Sequence, residues 1–99
     1  MQYSKVVAIM NIVSYESIIA DLKKINVPGI SITPIKGCGG HRSHSGECEL
    51  YENTKLEIYT TSSHAEEIAV YLSELLKERT ENGGIVAIEP VTNLFNFKK

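Results

Sequence analysis

The chemistry-bearing residues of this chain crowd into one stretch, GCGGHRSHSGEC, running from Gly37 to Cys48. Gly37, Gly39, Gly40 and Gly46 accept positive φ and let backbone N–H groups approach a bound group with no Cβ in the way, which is one way to hold phosphate oxygens. Turns use glycine for the same reason. Cys38, His41, His44 and Cys48 are good zinc or copper ligands, at a spacing that matches no standard zinc finger. A disulfide between Cys38 and Cys48 is a further reading, disfavoured in a reducing compartment. His41 changes charge near neutral pH and, beside Arg42, suits phosphate or acidic ligand groups. The chain has no nucleophile elbow, no Walker sequence and no pair of carboxylates that sequence can place for acid–base chemistry, so the expectation is a binding protein and not an enzyme.

Ordinary strand and helix must position that stretch. Ser4 to Met10 is a continuous apolar run that suits a strand in the middle of a sheet. Ser14 can cap a helix with Glu16 in its first turn, and Ile18, Ile19, Leu22 and Ile25 recur at helical spacing until Pro28 and Gly29. Ile30 and Ile32 alternate with Ser31 and Thr33 in a second strand leading into the glycine loop, where Pro34 argues for a sheet edge or a bulge. Leu56 and Ile58 alternate with Lys55, Glu57 and Tyr59 in a third strand with one wetter face. Ser63 to Glu66 has the form of a capping box, opening a helix whose Ala65, Ile68, Ala69, Leu72, Leu75 and Leu76 make the clearest apolar stripe. After the polar turn from Glu81 to Gly84, Ile85 to Ile88 reads as a fourth, largely buried strand stopped by Pro90. The tail from Val91 to Lys99 carries Leu94, Phe95 and Phe97, which must dock on this chain or on a neighbour.

The order β-α-β, loop, β-α-β is that of the ferredoxin-like α+β fold, βαββαβ, whose helices cover one face of the sheet. With 99 residues the chain is one domain, 1–99, and the uncovered face is most simply buried by further copies. A composition of 42% hydrophobic and 22% charged residues is globular, and a net charge of −2 offers no general surface for nucleic acid. The longest apolar run is too short to span a membrane and the start lacks a signal-peptide pattern, so a cytoplasmic location is expected.

Val27-Pro28-Gly29-Ile30-Ser31-Ile32-Thr33-Pro34-Ile35-Lys36-Gly37-Cys38-Gly39 resembles the strand by which the PII and PII-like signal transduction proteins enter their long T-loop, here about 37–53. Lys55-Leu56-Glu57-Ile58 resembles the family's Lys-x-Glu-Ile strand, and the second helix, glycine turn and Pro90-Val91 follow in the family's order. The resemblance implies a homotrimer that binds an adenine nucleotide in intersubunit clefts and signals to a transporter or enzyme partner through the T-loop. Carried over by position, it sets Gly29, Ile30 and Ser31 beside the adenine and ribose, with Glu57 and Tyr59 lining the base pocket. Gly37, Gly39, Gly40 and His41 then face the phosphates, Asn82, Gly83 and Gly84 form the opposing loop, and Lys98 matches a basic residue of the C-terminal segment. No obligatory cofactor is implied. The trimeric CutA group shares this general fold, so a metal-binding trimer using Cys38, His41, His44 and Cys48 is the alternative.

Departures from the family pattern carry information as well. Arg and Gln after the second loop glycine become Gly40 and His41, the lysine two positions before Lys55 is Asn53, and the lysine closing the glycine turn is Gly84. Fewer cations then meet the phosphates, which favours ADP or AMP over ATP, since each added phosphate charge needs a compensating donor. Loss of the Gln and Lys also removes the basis for carrying over 2-oxoglutarate sensing through bound Mg²⁺. Tyr51 lies close to the third strand, so nucleotidylation is not inferred. Metal titration separates the two ligand classes. The metal reading requires saturable zinc binding that is lost in the Cys38→Ser, Cys48→Ser double variant, and the nucleotide reading expects no difference between the two proteins.

Overall fold

The structure, a computed structural model, describes residues 2–11, 15–37, 51–80 and 83–97. Expectations placed on Ser14, on Cys38 to Leu50, on Glu81 and Asn82 and on Lys98 lie outside these residues. In chain order the elements are β1 (Tyr3–Met10), α1 (Glu16–Lys23), β2 (Ser31–Gly37), β3 (Tyr51–Thr61), α2 (Ser62–Arg79) and β4 (Gly84–Val91). The strands form one sheet in the order β2-β3-β1-β4, with every neighbouring pair antiparallel. This is the expected ferredoxin-like arrangement.

Alternation along β1 decides which side of the sheet becomes the core. Ser4, Val6, Ala8 and Met10 are buried beneath the helices, and their partners on β3 are Thr60, Ile58, Leu56 and Thr54, all buried as well. Ala65, Ile68, Ala69, Leu72, Leu75 and Leu76 of α2 close over this row, joined by Ile18 and Leu22 of α1. The stripe expected from the sequence is thus the buried face of α2. On α1, Asp21 pairs with Arg79 of α2 and with Lys24, at 2.9 Å from the lysine. Hydrogen bonding to Lys24 first, and to Arg79 second, holds the Asp21 carboxyl below its usual range.

Four local readings change. The N-cap of α1 is Tyr15, which makes no side-chain cap bond. α2 starts at Ser62 with Thr61 at its N-cap, also without a side-chain cap bond, so the Ser63–Glu66 capping box is not used. The reason is that β3 runs into α2 with no intervening loop. Ser62 is held there by its N–H donating to the Gln2 carbonyl at 2.9 Å and by its hydroxyl 2.8 Å from that of Ser4. Strand pairing extends to Gly37 and Tyr51, leaving residues 38–50 as the connection between β2 and β3. β4, read as largely buried, is an edge strand in this chain, with Ile85 and Ile88 exposed and Pro90 inside the strand opposite Ser4. Pro34 lies on the other edge strand, and the β2–β3 register passes through it without a bulge.

Leu72 has no exposed surface. The Leu72→Ala variant is expected to lose about 2–5 kcal/mol of stability in urea unfolding, because the pocket it leaves is walled by strand side chains that cannot collapse far.

Candidate functional site

The alternation that buries the even positions of β1 sends Tyr3, Lys5, Val7 and Ile9 to the opposite, helix-free face. Lys5 sits there between Glu57 of β3, at 3.0 Å, and Glu89 of β4, at 3.3 Å. Glu89 is the register partner of Lys5 on β4, and Glu57 is its diagonal neighbour on β3, two residues from the Lys5 partner Tyr59. Its ammonium also lies over the Tyr59 ring, 5.9 Å from the centroid. Hydrogen bonding to Glu57 and then to Glu89 raises Lys5, and the bond from Lys5 holds Glu57 below the usual carboxylate range. Lys55, on the same face, lowers Glu57 further. Two lysines and two glutamates therefore balance on a face that also carries Ile85, half-exposed Tyr59 and Val7. Sequence reasoning singled out Glu57 and Tyr59 but not Lys5 and Glu89. The available signal was a lone lysine at an odd position of an apolar strand.

The candidate nucleotide residues fall on different strands of the sheet. Ser31 begins β2 opposite Glu57, and Gly29 and Ile30 precede it, so this group is contiguous with Glu57 and, two residues on, Tyr59. Gly37 ends β2 opposite Tyr51, where an added Cβ would make only ordinary contact with the Asn53 side chain. Gly83, at φ 70°, leads into Gly84, the first residue of β4, on the far edge. Three strand intervals separate β2 from β4, about 14 Å at the usual spacing. A ligand touching both edges must span the sheet end or bridge two copies. Gly39, Gly40, His41, Asn82 and Lys98 lie outside the described residues, as do the metal candidates Cys38, His44 and Cys48. No group of three or more metal-ligating side chains occurs among the described residues.

Gly84 is required for a reason specific to its neighbours. A Cβ built there would lie 2.2 Å from the Ile9 carbonyl oxygen and 3.2 Å from the Met10 Cα. Backbone atoms cannot yield as a side chain would, so no larger residue fits without moving β4 away from β1.

Two cavities flank these residues. One, of about 380 Å³, lies at the loop end of the sheet against Asn11, Ile35, Lys36, Glu52 and Asn53. The other, of about 710 Å³, lies at the opposite end, between Tyr59, Pro28 and His64 on one side and the tail residues Asn93 to Asn96 on the other. His64 is half exposed and 3.3 Å from Glu67. Among the described residues no helix is long and apolar enough to cross a membrane.

A four-stranded antiparallel sheet with two helices on one face, a charge-balanced open face and a long connection from edge strand β2 to β3 defines the ferredoxin-like architecture. The family model for the nitrogen regulatory protein P-II matches residues 3–98, and the chain belongs to that family. The nitrogen regulatory protein P-II of Cyanidium caldarium is 26% identical over 103 residues, covering 97% of this chain and 91% of the relative. The nitrogen regulatory PII-like protein of Bacillus subtilis is 22% identical over 104 residues, covering 98% and 90%. Among solved structures, the B. subtilis GlnK–ATP complex superposes with a TM-score of 0.79 at 22% identity, over 96% of this chain and 89% of that one. Arabidopsis thaliana PII bound to citrate does so with a TM-score of 0.72 at 20% identity, over 91% and 78%.

The open-face ion ladder has a definite pH signature. Glu57 is depressed in the folded state, so its contribution to stability is present above the ordinary carboxylate value of 4.5 and is lost as pH falls through the lower folded value. Lys5 is raised, so its contribution is present below 10.5 and is lost as pH climbs through the higher folded value. Thermal melts of wild type and Glu57→Gln are expected to differ by a constant amount between those limits and to converge in acid. Parallel curves down to pH 2 would show that the pair contributes nothing.

Proposed function

We propose that this P-II family protein is a homotrimeric regulator that binds an adenine nucleotide between subunits and reports its occupancy to a transporter or enzyme through the connection from Gly37 to Asn53. The observation that carries the reading is the match to the P-II model across residues 3–98. The fold shared with a relative solved as an ATP complex supports it. Assembly is supported by the open sheet face. Its lysines and glutamates are already mutually neutralised, so a further copy can cover Tyr59 and Ile85 without stranding a charge.

Occupancy acts by differential affinity. Phosphate contacts from the loop root favour those arrangements of the connection that keep Gly37 in register with Tyr51, and a partner that binds those arrangements senses the ligand. ADP or AMP is the favoured effector. The crowding of Gly84 against Ile9 bars a cationic side chain at that corner, and Asn53 in place of a lysine adds no charge. Each missing cation weakens the grip on a terminal phosphate more than on the base or ribose.

Competition binding of AMP, ADP and ATP, with the mass of the particle measured by light scattering, tests the whole. A trimer that binds AMP or ADP at least as tightly as ATP is expected. A monomer indifferent to all three overturns the proposal, and a clear preference for ATP overturns its account of the phosphates.

A further inference from the structure

The tail after β4 crosses the end of the sheet instead of continuing away from it. Thr92, Asn93 and Leu94 pass Gln2, Tyr3 and Ser62, and Asn93 to Asn96 then form one wall of the 710 Å³ groove whose other wall is Tyr59, Pro28 and His64. This groove adjoins the strand start expected to hold the base, since Pro28 precedes Gly29 and Tyr59 lies two residues from Glu57, the partner of Ser31. The tail's expected contribution was Lys98 to a phosphate. Its described part has another character. Phe95 and Phe97 are 86% and 85% exposed, far more than Tyr59 at 50%. A phenyl ring held in water at the lip of a groove of ligand size is poorly explained by packing within this chain.

We infer that residues 93–96 form the second wall of the base pocket, with Phe95 closing over the adenine of a nucleotide whose other side rests against Tyr59. This deepens the nucleotide reading above and rests on it. The chemistry matches the ligand. A purine is a flat apolar plate with hydrogen-bonding edges; Tyr59 and Phe95 supply aromatic surface, and Asn26, Asn93 and Asn96 supply amides that can both donate and accept. The Lys5 ammonium over Tyr59 fixes that ring's place in the face. The tail's own contribution, Phe95, Asn93 and Asn96, carries no formal charge, so the tail grips the part of the ligand that AMP, ADP and ATP have in common.

The test is titration calorimetry of the full chain with adenosine, AMP, ADP and ATP, for wild type, Phe95→Ala and Asn96→Ala. Phe95 is exposed in this fold, so its truncation leaves the core intact, and far-ultraviolet circular dichroism with a thermal melt verifies that. Loss of one stacked aromatic predicts roughly tenfold weaker binding. The factor is expected to be the same for all three nucleotides, with adenosine weakened in parallel. Unchanged affinity in Phe95→Ala, while wild type binds normally, overturns the tail's role and leaves the nucleotide reading standing. A loss that grows with the number of phosphates also overturns it, by moving the tail to the phosphate end. Wild type that binds no adenine compound overturns the nucleotide reading itself, and this inference with it.

Discussion

The two-residue period of β1 between two antiparallel neighbours is the constraint from which most of this molecule follows. Once Val6, Ala8 and Met10 turn toward α2, Lys5, Val7 and Ile9 have no choice but to face the other way. That brings Lys5 between Glu57 and Glu89 and makes the helix-free side a surface of neutralised charge and exposed apolar groups. The core and the candidate interface are two expressions of one register. A slip of a single residue in β1 would bury the lysine and expose the core row together.

Much of this was legible in the sequence because it depends on periodicity. The α2 stripe from Ala65 to Leu76 is repeated faithfully in the buried residues, since a long helix with a clear apolar face has only one way to sit on a sheet. The order of elements followed from strand and helix patterns separated by glycine and proline. Pro34 marked an edge because a residue with no N–H is a poor fit between two paired neighbours.

What escaped the sequence depends on who sits beside whom. Ser63 and Glu66 have the right spacing for a capping box, but the N-cap falls two residues earlier, at Thr61, where Ser62 is held by Gln2 and Ser4, partners about sixty positions away along the chain that no local pattern reveals. Ile85 to Ile88 looks buried because its composition is apolar, yet apolarity cannot distinguish burial within a chain from burial between chains. The ladder through Lys5 needed three strands in register before its members could be seen as a set. The tail was read for Lys98 and for apolar residues that dock on this chain or a neighbour, while its path across the sheet end, and so the aromatic wall of the groove, required the fold.

Prolines at 34 and 90 occupy the two outer strands of the sheet. A chain that tried to join the sheet sideways would meet, on either margin, a backbone position with nothing to donate, and the added ladder would be broken there. Growth by strand addition, the route to open-ended fibrils, is thereby discouraged at both margins. Copies are left to meet through the flat of the sheet, a geometry that can complete itself in a small closed ring.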